Sequence, residues 1–192
     1  MNAALGFRVK SGWAAAVLLA GPVESPQVLD RGVVQLCDPS ISESKQPYHA
    51  SMGTLQTDEA KVERLRNVIA KAAQESVSEL MKEFESQGRQ IRRANLVVGS
   101  NIDPSRIGNP HVRAHALEGQ LFRTVLEDAL RSHGLQCSII VEREIYERAT
   151  GELKQSEKNL KQSLTQLGRS LDGPWRAEDK LAALAAWLAL TE

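Results

Sequence analysis

Among the residues whose types could do chemistry, Glu142 and Glu144 follow an apolar run, the place where ligands of α/β sheets collect. By strand alternation the two would share a face, although acids so placed are often ordinary surface. His111 and His115 stand four residues apart on an expected helix and could share a metal. No third ligand has matching spacing, so they read as surface histidines, with His49 and His133 isolated. Cys37 and Cys137 are too few and too far apart for a disulfide framework or a zinc site, and read as reduced core thiols. The chain has no glycine-rich phosphate loop and no nucleophile elbow. The cations that could meet phosphates are Arg8 with Lys10, the group Arg89, Arg92 and Arg93, and Lys154, Lys158 and Lys161. The lysines alternate with Glu152 and Glu157, which predicts a self-compensated, solvated face.

Elements that would position these residues follow from periodicity. Residues 3–9 and 13–20 predict two strands joined by a turn at Lys10-Ser11-Gly12, and Val28–Cys37 a third. Residues 38–56, rich in proline, glycine and serine, predict a loop. From Thr57 or Asp58, both good N-caps, apolar residues recur at helical spacing until Gly88. Ala94–Gly99 and Leu135–Val141 are short apolar runs expected of buried strands, and a helix over 111–132 lies between them. A polar helix is expected after Gly151, and a last helix from Asp172-Gly173-Pro174, with the proline in its first turn. Tryptophans 13, 175 and 187 could stack on bases, but in apolar runs they read as core.

At 192 residues one domain, residues 1–192, is the expectation. Lysine plus arginine equals aspartate plus glutamate at 24 each, so any nucleic-acid contact must be local rather than driven by a global positive field. The apolar run 13–20 is far shorter than the roughly 20 residues of a membrane span, so it reads as a buried strand. A cytoplasmic protein with no membrane contact is expected.

The order βββ-α-β-α-β-α-α is that of an α/β RNase H-like fold. It predicts a five-stranded mixed sheet whose first three strands are antiparallel, with the first and fourth parallel and helices on both faces. Four segments resemble the RuvC-type Holliday-junction resolvases of that superfamily. Leu5-Gly6-Phe7-Arg8-Val9-Lys10-Ser11-Gly12 resembles their Leu-Gly-Ile-Asp-Pro-Gly turn, and Leu117-Glu118-Gly119-Gln120-Leu121-Phe122-Arg123 their Leu-Gly-Gln-x-Arg. Ala149-Thr150-Gly151 with Ser156-Glu157-Lys158 resembles their Val-x-Gly and Ala-x-Lys, and Arg176–Ala185 the closing Asp-Ala-x-Asp-Ala-Leu-Ala helix.

That resemblance implies two magnesium ions held by about four carboxylates. Here the first-strand Asp aligns with Arg8, the fourth-strand Glu with Val98 or Gly99, and the first acid of the last helix with Arg176, so that Asp179 alone remains. Asp179 is a weak metal candidate, and Glu178, Glu142, Glu144 and Asp103 could build a relocated site. Arg8, a permanent cation in the old metal position, is expected to pair with Asp179 or Glu178. The leading expectation is a non-catalytic, cofactor-free module that binds DNA or RNA or acts as a scaffold, with a homodimer as a further expectation. The alternatives are a magnesium-dependent, structure-selective nuclease with rearranged carboxylates and a protein-only interaction subunit.

Overall fold

A computed structural model describes residues 2–50 and 53–191; residues 51–52 of the expected loop lie outside the described residues. Ala3–Lys10 (β1) and Trp13–Ala20 (β2) pair antiparallel from Ala3 opposite Ala20 to Lys10 opposite Trp13. Gly12, at φ +83°, takes the left-handed conformation this tight reversal needs. Gln27–Gln35 (β3) pairs antiparallel with β2, with a register shift at Leu18/Leu19. Arg93–Val98 (β4) lies parallel to the other edge of β1, Leu5 opposite Ala94, and Gln136–Val141 (β5) lies parallel to β4. The sheet order is β3-β2-β1-β4-β5, the mixed sheet that the element order predicts.

Period-2 alternation divides β1 between two cores. Leu5, Phe7 and Val9 join Leu96 and Val98 beneath Glu59–Ser86 (α1) and Pro110–Ser132 (α2). Ala4, Val17, Leu19 and Val97 pack on the opposite face against Ala177–Ala189 (α5), Ile145–Leu153 (α3) and Glu157–Leu167 (α4). Asp58 caps α1 by accepting from Lys61 N at 2.9 Å. Asn109 caps α2 by accepting from Val112 N at 3.1 Å, with Pro110 at the first helical position.

Two expectations are corrected. The single polar helix after Gly151 is two helices: α3 begins earlier, at Ile145, and Lys154, at φ +53°, ends it in the left-handed conformation before Ser156 caps α4. The last helix starts at Ala177 rather than near Pro174, because the Asp179 carboxylate accepts from Arg176 N at 2.8 Å and fixes the N-terminus there. Trp175 Nε1 donates to Leu164 O at 2.7 Å and Trp187 Nε1 to Val23 O at 2.8 Å, which ties both indoles into the fold. Among the described residues no helix is long and apolar enough to cross a membrane.

Both cysteines are free. Burial pushes the Cys137 thiol up to about 11. Since the unfolded thiol ionises lower, Cys137 favours the native state below its unfolded pKa, and that contribution is lost as pH rises toward 11. Iodoacetamide at pH 8 is expected to label Cys137 at least about tenfold more slowly in native protein than in urea, because little thiolate is present. Equal rates in the two states would contradict the burial.

Candidate functional site

Among the described residues, the buried charged side chains are Arg8 and Glu118, on opposite faces of the sheet. Burying a charge is costly unless it is paired, so each marks a place where the sequence maintains a polar arrangement inside the protein.

Arg8 points to the α5 side of β1, two residues after Gly6. A Cβ on Gly6 would lie 1.9 Å from Ala182 O and 2.3 Å from Ala186 N, so α5 lies directly on the strand. Beyond that contact the Arg8 guanidinium, 6% exposed as a residue, turns across the C-terminal ends of β1 and β4. Its Nη1 donates to Val9 O at 2.6 Å and makes a longer contact of 3.5 Å with Val97 O, and its Nη2 donates to Glu142 Oε2. Glu142 opens a 3-10 turn, Glu142–Glu144, that follows β5 directly. The turn replaces strand alternation, so the two glutamates do not share a face: Glu142 bonds Arg8, while Glu144 pairs with Arg143 in solvent.

Arg8 therefore pairs with Glu142 and not with the expected Asp179 or Glu178. Those acids are engaged elsewhere because of where α5 begins. Asp179 sits in the first turn, bonded to its own helix end and 3.7 Å from Arg31 Nη1 of β3, and Glu178 Oε1 lies 3.8 Å from Lys10 Nζ. Arg31, which periodicity did not single out, also donates to Asp172 O and Pro174 O and lies 5.9 Å from the Trp175 ring centroid, so it pins the segment leading into α5. Asp103 accepts from Ser105 N at 2.9 Å, and this local turn bond holds its carboxyl below the usual range.

A two-magnesium clamp does not fit these residues. A guanidinium fills the first-strand position, Gly99 offers no side chain and its virtual Cβ lies 3.9 Å from Arg8 Nη2, and the helix acids are spent on a cap and on lysine. Among the described residues no three carboxylates converge. The neighbouring cleft, about 740 Å³, is lined by Gly99, Glu142, Glu147 and Glu157, with Arg143 also on its wall. Glu157 there is paired to Lys161 at 2.5 Å, in accord with the self-compensated face expected of α4; Lys158 is exposed on the same helix.

The candidate nucleic-acid residues do not form one surface. Arg92 and Arg93 precede or open β4, whereas Arg8 pairs near its end, so roughly 15 Å of strand separates them at about 3.3 Å per residue. Arg89, Arg92 and Arg93 instead share a cleft of about 920 Å³ at the N-terminal ends of the parallel strands. Among the described residues none of the three is in an ion pair, and Arg89 Nη1 is buried without a partner. On the other face, His49 is not isolated: the loop after β3 brings it against His111, His115 and the buried Glu118. No spacing rule joins position 49 to 111, since the contact is made by tertiary packing.

No family model matches the sequence, and no curated protein matches it. Among solved structures the chain is similar to the RuvC structure of Thermus thermophilus, at 10% identity and a TM-score of 0.56, over 98% of this chain and 92% of that one. It is similar to T. thermophilus RuvC in complex with Holliday junction substrate at 12% identity and a TM-score of 0.57, over 100% and 92% of the two chains. At such identity the likeness carries the architecture alone, and the fold of this chain is RuvC-like and RNase H-like.

Proposed function

We propose that the protein is a non-catalytic nucleic-acid-binding module on a RuvC-like scaffold. The observation that carries this reading is Arg8, a buried guanidinium in the place that the resolvase resemblance gives to a metal-binding carboxylate. A permanent cation there opposes the entry of divalent ions and neutralises Glu142, the acid best placed to replace a lost ligand. Nucleic-acid binding is supported by the cleft of Arg89, Arg92 and Arg93, whose guanidinium groups have no carboxylate partners among the described residues and so keep their charge available for phosphates. The T. thermophilus structure with Holliday junction makes branched DNA the first ligand to try.

The test is fluorescence anisotropy with a labelled four-way junction, duplex DNA and single-stranded RNA, across a salt series with and without magnesium, and a gel of the same mixtures for cleavage. We expect binding that weakens with salt and leaves every strand intact. Changing Arg89, Arg92 and Arg93 together to serine should lower the slope of log affinity against log salt by about 2–3, since each phosphate contact contributes roughly 0.9. Magnesium-dependent cleavage abolished by Glu142→Gln would establish the nuclease alternative. Absence of binding at low salt would leave a protein-only interaction subunit.

A further inference from the structure

We propose that His49, His111 and His115 form a binding site for one divalent transition-metal ion of the zinc class, on the sheet face opposite Arg8 and independent of the nucleic-acid reading. His111 and His115 lie one turn apart near the start of α2. The loop after β3 returns through the pairing of His49 with Leu55 and places the third imidazole over them. Ring centroids are 5.3 Å (His49–His111), 4.5 Å (His49–His115) and 4.6 Å (His111–His115) apart, and one nitrogen from each ring lies within 4.8 Å of the others.

The outer partners decide which nitrogens are free. His49 Nδ1 lies 2.7 Å from Glu118 Oε1, His111 Nδ1 lies 2.8 Å from Gly53 O, and His115 Nδ1 lies 3.8 Å from Glu118 Oε2. Nδ1 of His49 and of His111 thus lies within hydrogen-bond distance of an oxygen acceptor, which assigns their ring protons to Nδ1 and turns their Nε2 lone pairs inward, whereas His115 Nδ1 lies beyond that distance. That is how metal-bound histidines are held, and here a carboxylate stands behind His49 and a carbonyl behind His111.

Without an ion this arrangement leaves groups unsatisfied. His111 Nε2 and His115 Nε2 face each other at 3.2 Å, where the His115 ring can donate to the His111 lone pair and an ion would take the place of that proton. His49 Nε2 and Glu118 Oε2 are buried with no hydrogen-bond partner. A tetrahedral ion with metal–nitrogen bonds of about 2.0–2.1 Å places its nitrogens about 3.4 Å apart, close to the 3.2 Å between His111 and His115. Its charge would also offset the buried Glu118 carboxylate, 2.7 Å from His49 Nδ1. Three imidazoles select zinc, cobalt, nickel or copper over magnesium, and leave a fourth position for water on the exposed side formed by His111 and His115. The ion would tie the loop after β3 to α2.

The experiment uses the whole chain, stripped with a chelator and titrated with zinc by calorimetry and with cobalt by visible absorption. We expect one ion per chain, the intense absorption of tetrahedral cobalt, and a melting temperature that rises with zinc. His115→Ala, at an exposed position, should keep the circular dichroism of the fold and bind at least about 100-fold more weakly, and His49→Ala should do the same. Glu118→Gln should weaken binding about 10–100-fold by removing the carboxylate that holds His49. His133→Ala, outside the cluster, should bind like the parent. Absence of tetrahedral cobalt absorption in the parent would overturn the proposal. So would unchanged affinity in both His49→Ala and His115→Ala, or an equal loss in His133→Ala.

Discussion

Gly6→Ala is expected to destabilise the protein by more than about 3 kcal/mol, above the usual range of overpacking substitutions, and to deplete the soluble folded fraction. The reason is the identity of the neighbours. The new methyl would meet Ala182 O at 1.9 Å and Ala186 N at 2.3 Å, both main-chain atoms of α5, and no side-chain rotation can relieve such contacts. The helix would have to lift from the strand. It carries Ala182, Ala183, Leu184, Ala185, Ala186, Trp187 and Leu188, all buried, so the displacement would open a whole core layer. Gly119→Ala is the control. Gly119 is exposed on α2 with open space around its virtual Cβ, and there alanine should stabilise by about 0.5–1 kcal/mol. Urea unfolding of both variants measures the contrast. A Gly6→Ala protein within about 1 kcal/mol of the parent would mean that α5 does not pack as close as described.

The alanine-rich character of α5 was legible in the sequence, but its reason was not. Periodicity identifies a buried helix, whereas the small residues acquire their purpose only when Gly6 is found beneath them. The strands and the two long helices were legible for local reasons: alternating or continuous apolar runs, Asp58 as a cap, and the turn at Gly12; the Asn109 cap and the start of α2 at Pro110 came only with the structure. Boundaries failed where a side chain chose between neighbouring starts. Pro174 is an acceptable first-turn residue, yet the Asp179 bond to Arg176 N fixed the later start. Likewise a left-handed Lys154 separates α3 from α4 where a single polar helix after Gly151 is expected.

For the sites, residue type was more legible than partnership. Arg8 could be recognised as a cation in a place where the resemblance implies an acid, because a guanidinium cannot discharge itself by losing a proton. Its partner could not be read from sequence, since the 3-10 turn after β5 breaks the alternation that relates Glu142 to Glu144. The histidines illustrate the same limit across greater distance. Positions 111 and 115 are related by helical geometry, and position 49 joins them only through the path of a loop.

Arg8→Ala is expected to destabilise by about 2–4 kcal/mol, which can be apportioned among its neighbours. Removing the side chain leaves a space at the edge of the α5 layer and takes the donor from Val9 O, with the weaker contact to Val97 O. The orphaned acid adds less than in a fully buried pair, because the Glu142 side chain is 43% exposed and can turn into water. Glu142→Gln leaves the guanidinium in place with a neutral acceptor and should cost only about 1–2 kcal/mol. A double-mutant cycle on the pair should therefore return a coupling near 1 kcal/mol, well below the sum of the single losses. Arg8→Asp should be the least stable of the set, since it sets a carboxylate opposite Glu142 where like charges repel. If any metal affinity can be recovered in this site, millimolar magnesium should raise the melting temperature of that variant and leave the parent unchanged. Thermal unfolding of the four proteins decides the matter: should Arg8→Ala melt with the parent, the guanidinium is not part of the packed interior, and the reading of Arg8 as a replacement for metal fails with it.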